Sequence, residues 1–214
     1  MKTSLLAALT TFVLFALTTT NPSVVEAQVL DTDGNPVEWS TNYYILPFVW
    51  GPLGGGLTLG RHNNSICPLY VTQEPSDLSN GLTVAFSPRI SRLPFVTSSA
   101  DLSIRTTGAA ATCKLSLVWK IVPESTRLWF VSTNGNSNFP TSIFKIEHYE
   151  SYYYKILFCP AQSPIPTLCK GLGIYIDDDG TRYLAIGDDI EPFRFVFKKA
   201  EVSQTQNYIK TMVS

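Results

Sequence analysis

Short runs in which apolar and polar residues alternate recur from Tyr43 to Phe197. Tyr43–Leu46, Leu57–Leu59, Leu69–Thr72 and Leu82–Phe86 are short and rich in aromatic and β-branched residues. Leu102–Ile104, Leu115–Trp119, Leu128–Val131 and Ile143–Ile146 follow the same pattern, as do Tyr154–Phe158, Gly173–Ile176, Tyr183–Ile186 and Phe193–Phe197. A period of two places alternate side chains on opposite faces of a strand, so each run predicts a strand with one buried face. Turn formers separate the runs: Gly54-Gly55-Gly56, Asn80-Gly81, Asn134-Gly135 and Asp179-Gly180. No segment carries a sustained 3.6-residue apolar period with caps. About twelve evenly spaced strands predict an all-β barrel or sandwich.

The runs group into three sets of four, spanning Tyr43 to Phe86, Leu102 to Ile146 and Tyr154 to Phe197. A repeat of roughly 50 residues points to a repeated unit. Three four-stranded units closing on one axis make a β-trefoil, the architecture this grouping favours.

The N-terminus has a different character. Lys2 precedes an uncharged apolar stretch from Leu5 to Leu17, then polar threonines, then Val25-Glu26-Ala27 with small residues at the cleavage positions. This is the pattern of a secretory signal peptide cut after Ala27. The stretch is too short for the roughly 20 residues a spanning helix needs. The expected organisation is therefore a leader over 1–27, one domain over 28–201 and a polar tail over 202–214. With a formal net charge of −1 and no basic run, neither nucleic acid nor a membrane surface is an expected partner.

Four cysteines, Cys67, Cys113, Cys159 and Cys169, in a chain with a leader predict two disulfides and leave three pairings open. A metal site is not expected, because no Cys-x-x-Cys spacing occurs and His62 and His148 have no second ligand nearby in sequence. No cofactor is expected. Catalysis is not expected either. The acidic residues, among them Asp31, Asp33, Asp188 and Asp189, form no recognisable pair for glycoside hydrolysis, and there is no nucleophile-elbow motif.

The segment Val29-Leu-Asp31-Thr-Asp-Gly34-Asn-Pro-Val37 and the following Tyr43-Tyr-Ile45 resemble the N-terminal signature of the plant Kunitz (soybean trypsin inhibitor) family. Cys67-Pro68 after the glycine-rich turn, Phe158-Cys159-Pro160, and the hairpin Ile176 to Leu184 resemble it too, and the likeness covers about residues 28 to 200. The resemblance implies a β-trefoil with pairing Cys67–Cys113 and Cys159–Cys169. It implies a monomeric protease inhibitor, secreted to the apoplast or sent to the vacuole, whose partner is a trypsin- or subtilisin-like endopeptidase.

Such an inhibitor presents an exposed, stiff loop already in its bound shape, which avoids the entropy cost of ordering a flexible peptide. The segment Ser87-Pro-Arg89-Ile90-Ser-Arg92-Leu93-Pro-Phe95-Val96 has that composition: prolines fix φ on both sides of two arginines. A basic side chain suits the acid-bottomed pocket of a trypsin-like enzyme. Phe95-Val96 fits the family's pair leading into the next strand, which makes Arg92–Leu93 the reactive bond. Counting from Ser87-Pro88 gives the alternative, Arg89–Ile90. Two departures stand out. Family inhibitors carry an Asn at the position of Trp39, and an indole, with one donor and no acceptor, cannot reproduce the amide's bonding. Pro94 lacks the N–H that a substrate offers on the leaving side.

Two other features complete the reading. The loop from Cys159 to Cys169 holds three prolines and is a second candidate device, against another protease class. Asn63-Asn64-Ser65 is an N-glycosylation acceptor. A storage or defence protein of the same fold without inhibitory activity is the alternative function.

Overall fold

The computed structural model describes residues 27–49, 54–109, 113–150, 153–159 and 169–201. Residues 1–26 of the expected leader, the interior of the loop from Cys159 to Cys169 and the expected tail beyond Glu201 lie outside the described residues. Thirteen strands are present among those described: β1 (Tyr43–Pro47), β2 (Leu57–His62), β3 (Ser65–Gln73), β4 (Thr83–Pro88), β5 (Leu102–Thr107), β6 (Lys120–Pro123) and β7 (Leu128–Ser132) come first. They continue as β8 (Phe144–His148), β9 (Tyr154–Phe158), β10 (Lys170–Gly171), β11 (Gly173–Ile176), β12 (Arg182–Gly187) and β13 (Phe195–Lys199). A 3₁₀ turn covers Pro140–Ser142.

Pairing closes the sheet. The order β9-β13-β1-β4-β5-β8 returns to β9 through the β8–β9 ladder, so six strands form a barrel. The hairpins β2–β3, β6–β7 and β11–β12 pair with one another through Tyr70↔Ser132, Tyr183↔Thr72 and Ala185↔Phe130, and form a triangular cap. Each third of the chain gives two barrel strands and one cap hairpin. This is a β-trefoil. β4 leads away from the cap hairpin β2–β3 and β5 leads back toward β6–β7, so their connection lies at the barrel end remote from the cap.

The alternation reads directly onto burial. In β8, Phe144 and Ile146 are buried while Lys145 and Glu147 are half-buried; in β13, Phe195 and Phe197 are buried. Inward rings pack edge to face, with Phe86–Phe197 at 5.3 Å and Phe195–Phe197 at 5.2 Å between centroids. Each such ring contributes roughly 1.5–3 kcal/mol through burial. A smaller cluster of Phe130, Tyr183 and Ala185 fills the cap. The predicted turns also form. Gly56 passes so close to Asn80 that a Cβ would collide with its carbonyl, and Asn134 takes φ 67°, a left-handed value that Asn tolerates.

One predicted strand is displaced. Leu115–Trp119 does not form a strand; the hairpin begins at Lys120. The second edge of β5 is divided, with Leu102 pairing Phe144 and Arg105 pairing Val118. That leaves the predicted segment a single bridge. Its anchor is instead Trp119, whose indole donates to Thr106 Oγ1 at 2.8 Å in the core.

The disulfides are Cys67–Cys113 and Cys159–Cys169, the pairing the resemblance implied. His62, expected as an isolated histidine, is buried in the cap among Tyr70, Phe130 and Tyr183, with Glu124 at 3.2 Å from Nε2. No group of three or more potential metal ligands occurs among the described residues. Asn63 and Asn64 form the tip of the β2–β3 hairpin, with φ 51° and 58°.

Candidate functional site

The β4–β5 connection is built from the base upward. Ser87 and Pro88 pair with Ser103 and Leu102, and Arg89 N–H donates to Asp101 O at 3.0 Å, closing the neck. The loop then projects outward. Arg89, Ile90, Ser91, Arg92, Leu93 and Pro94 are all exposed.

The descending half is laced to the N-terminal segment. Asp31 Oδ1 accepts from the N–H groups of Asp33 and Asn35, and Gly34 takes φ 79°. This folds residues 29–37 into a hairpin closed by Val37 N–H to Val29 O at 2.8 Å. The signature Asp-x-x-Gly is thus a turn whose second arm runs beside the loop. Val96 N–H donates to Val37 O at 2.7 Å, Glu38 bridges Phe95, and Trp39 N–H donates to Pro94 O at 3.4 Å. Two buried phenols fix the hairpin from below: Tyr154 Oη accepts from Leu30 N–H at 2.7 Å, and Tyr43 Oη accepts from Glu38 N–H at 3.0 Å.

Two side chains reach the candidate bond itself. Trp39 Nε1 donates to Leu93 O at 2.9 Å, with the indole packed against the core. Ser91 Oγ accepts from Leu93 N–H at 3.1 Å. The single indole donor of Trp39 thus makes one contact to a loop carbonyl. The Arg89–Ile90 bond differs. Among the described residues, Ile90 makes no hydrogen bond, and it is 88% exposed.

Charge is arranged to leave the arginines available. Asp101, the carboxylate beside the loop, is held by Lys145 at 2.7 Å. Arg89 and Arg92 form no ion pair among the described residues. The arrangement is a cationic, proline-bounded arch with a pinned carbonyl just past Arg92. Its exposure leaves the peptide bonds after both arginines accessible to another protein. The sequence located the arch and both arginines but missed Ser91, whose one signal is a hydroxyl two residues before Leu93.

The β-trefoil with an exposed, tethered β4–β5 arch has the form of a protein that binds through a loop. A family model described as trypsin and protease inhibitor, Kunitz legume type, matches residues 29–199. The chain belongs to this Kunitz family of protease inhibitors. It is 37% identical to a 21 kDa seed protein of Theobroma cacao, over 83% of this chain and 84% of that protein. It is 35% identical to Kunitz trypsin inhibitor 4 of Arabidopsis thaliana, over 94% of both. Among solved structures it superposes on soybean trypsin inhibitor in complex with porcine pancreatic trypsin, with a TM-score of 0.69 and 28% identity, covering 81% of this chain and 99% of that one.

Proposed function

We propose that this protein is a secreted, monomeric inhibitor of trypsin-like serine endopeptidases, with Arg92 as the primary-specificity residue and Arg92–Leu93 as the reactive bond. The observation that carries this reading is the asymmetry of the loop. The Arg92 side chain is exposed and forms no ion pair among the described residues, while the next peptide unit is held by Trp39 and Ser91. Arg92 enters the specificity pocket, and the bond lies against the nucleophile without being released. The soybean inhibitor's complex with trypsin supports the choice of target. The leader over residues 1–27 supports secretion, and the hairpin-tip position of Asn63 suits a glycan.

Titration of trypsin with the purified protein tests this. Activity falls stoichiometrically to near zero with the parent, and Arg92→Ala abolishes the effect while Arg89→Ala preserves it. Equal inhibition by Arg92→Ala and the parent contradicts the assignment.

A second reading, a storage or defence protein without inhibitory activity, is favoured by Pro94, which removes a main-chain donor from the leaving side. The relatedness to a protein named only as a seed protein points the same way. Absence of inhibition against trypsin, chymotrypsin, subtilisin and papain would establish it.

A further inference from the structure

One flank of the arch encloses a hollow of about 580 Å³, a size within the range of small-molecule sites. Arg89, Ser91 and Arg92 line it from the arch, and Ser99, Asp101 and Lys145 line it from the opposite side. Both sides are anchored. Arg89 N–H donates to Asp101 O at 3.0 Å, and Ser99 N–H donates to Ile146 O at 2.7 Å. Lys145 Nζ donates to Ser99 O at 2.8 Å, and Ser99 holds φ 66°. That left-handed value is costly for a residue with a Cβ and persists only where the surroundings impose it.

The hollow gathers three cations, Arg89, Arg92 and Lys145, against one carboxylate, Asp101. The carboxylate is already engaged, with Lys145 Nζ at 2.7 Å from Asp101 Oδ1. Glu147, on the same strand as Lys145, is turned to Lys155 at 3.5 Å and accepts from Ser99 Oγ at 3.4 Å. Neither guanidinium makes a hydrogen bond or ion pair among the described residues. Each guanidinium carries five N–H donors and no acceptor. The hollow is therefore rich in donors and poor in free acceptors. Oxyanions complement it, since they are all acceptor and suit the planar fork of arginine. A single oxyanion on one exposed cation gains little. Several on one rigid frame gain much more, because the first contact raises the effective concentration of the next.

We propose that this hollow binds a small polyanion carrying phosphate or sulfate ester groups, and that the bound anion masks Arg92 and competes with the protease. The binding site stands on the hollow itself. The competition rests on the reading of Arg92 as the primary-specificity residue. A guanidinium engaged by an oxyanion at the arch cannot at the same time enter an acid-bottomed pocket. Occupancy holds the inhibitor silent where such anions are concentrated, and dilution frees it.

The test titrates the full mature protein with inositol hexakisphosphate at low ionic strength, where exposed charges are least screened. Amide shifts and calorimetry follow binding, and inositol hexasulfate and inorganic phosphate serve as comparison probes. One saturable site is expected, with shifts confined to residues 89–93, 97–101 and 145. Arg89→Gln and Lys145→Gln each weaken binding about three- to tenfold, the loss of one charged contact at an open site. Arg61→Gln, exposed on β2 in the cap, keeps the parent affinity and separates a local site from attraction to overall charge. Inorganic phosphate, with one group, binds more weakly than either ester, and the tighter ester names the group the hollow takes. Arg89 is exposed, so Arg89→Gln tests the site even if Lys145→Gln is less stable. In trypsin assays the hexakisphosphate weakens inhibition in proportion to its occupancy of the parent, and less in Arg89→Gln, while trypsin alone keeps its rate on a small substrate. Equal affinity in Arg89→Gln, Lys145→Gln and Arg61→Gln, or no saturable shift at the hollow, overturns the site. Saturable binding with undiminished inhibition of trypsin overturns the competition. Undiminished inhibition by Arg92→Ala overturns the assignment of Arg92 and leaves the anion site standing.

Discussion

Raising the pH above 10 should destabilise this protein through its buried phenols. Tyr43, Tyr154 and Tyr183 are 0%, 4% and 2% exposed, and burial pushes the hydroxyl of each above its ordinary value. A phenol carries its charge when deprotonated, and a charge is disfavoured away from water. A group whose folded pKa is raised contributes stability that is complete below its unfolded pKa. That contribution is lost as pH rises through the folded value. For tyrosine the unfolded value is about 10, so the loss begins there. Between the two values each phenol is protonated when folded and ionised when unfolded, which lowers stability by about 1.4 kcal/mol per pH unit. These three together give a slope of up to about 4 kcal/mol per pH unit, and Tyr70 and Tyr153, also raised, add to it. Lys199, also raised, first by its hydrogen bond to Glu38, acts in the same direction. Urea unfolding at pH 9, 10, 10.5 and 11 measures the slope, and Tyr43→Phe should reduce it by up to about 1.4 kcal/mol per pH unit. Absorbance at 295 nm should show part of the ten tyrosines ionising only as the protein unfolds. A flat stability profile to pH 11, or native-state ionisation of all tyrosines near 10, refutes the reasoning.

Two further predictions concern the scaffold. Thr106→Val leaves the buried Trp119 indole N–H without its acceptor; this should cost about 1–3 kcal/mol and lower Tm by several degrees, and an unchanged Tm in calorimetry contradicts it. Replacing Cys67 and Cys113 by Ser opens a loop with a sequence separation of 46 and should lower stability by about 4 kcal/mol in the chain-entropy model, read as a lower urea midpoint of the folded protein.

Most of the architecture was legible because strands and turns leave local traces. Period-two alternation marked most strands, and Asn-Gly and Gly-rich steps marked the turns. Leu115–Trp119 misled because its alternation is genuine, yet the β5 edge it faces is shared with Phe144 and offers one bridge. The arch was legible from prolines and arginines within one stretch of chain. The Trp39 contact was not, since it joins residues 54 positions apart. Pattern reading counts the donors and acceptors of an indole, but only the hairpin at Asp31–Asn35 determines where that donor points. The same holds for Tyr43 and Tyr154, which read as strand residues and also hold the hairpin that carries Trp39.

The central claim is that a stiff arch presents Arg92–Leu93 to a protease and survives being cut there. Limited digestion by trypsin at mildly acidic pH, followed by N-terminal sequencing and re-assay, tests it most directly. The account predicts one new terminus, Leu93-Pro94-Phe95, on a protein that still inhibits. Cutting after Arg89, or at several sites with inhibition lost, would contradict it.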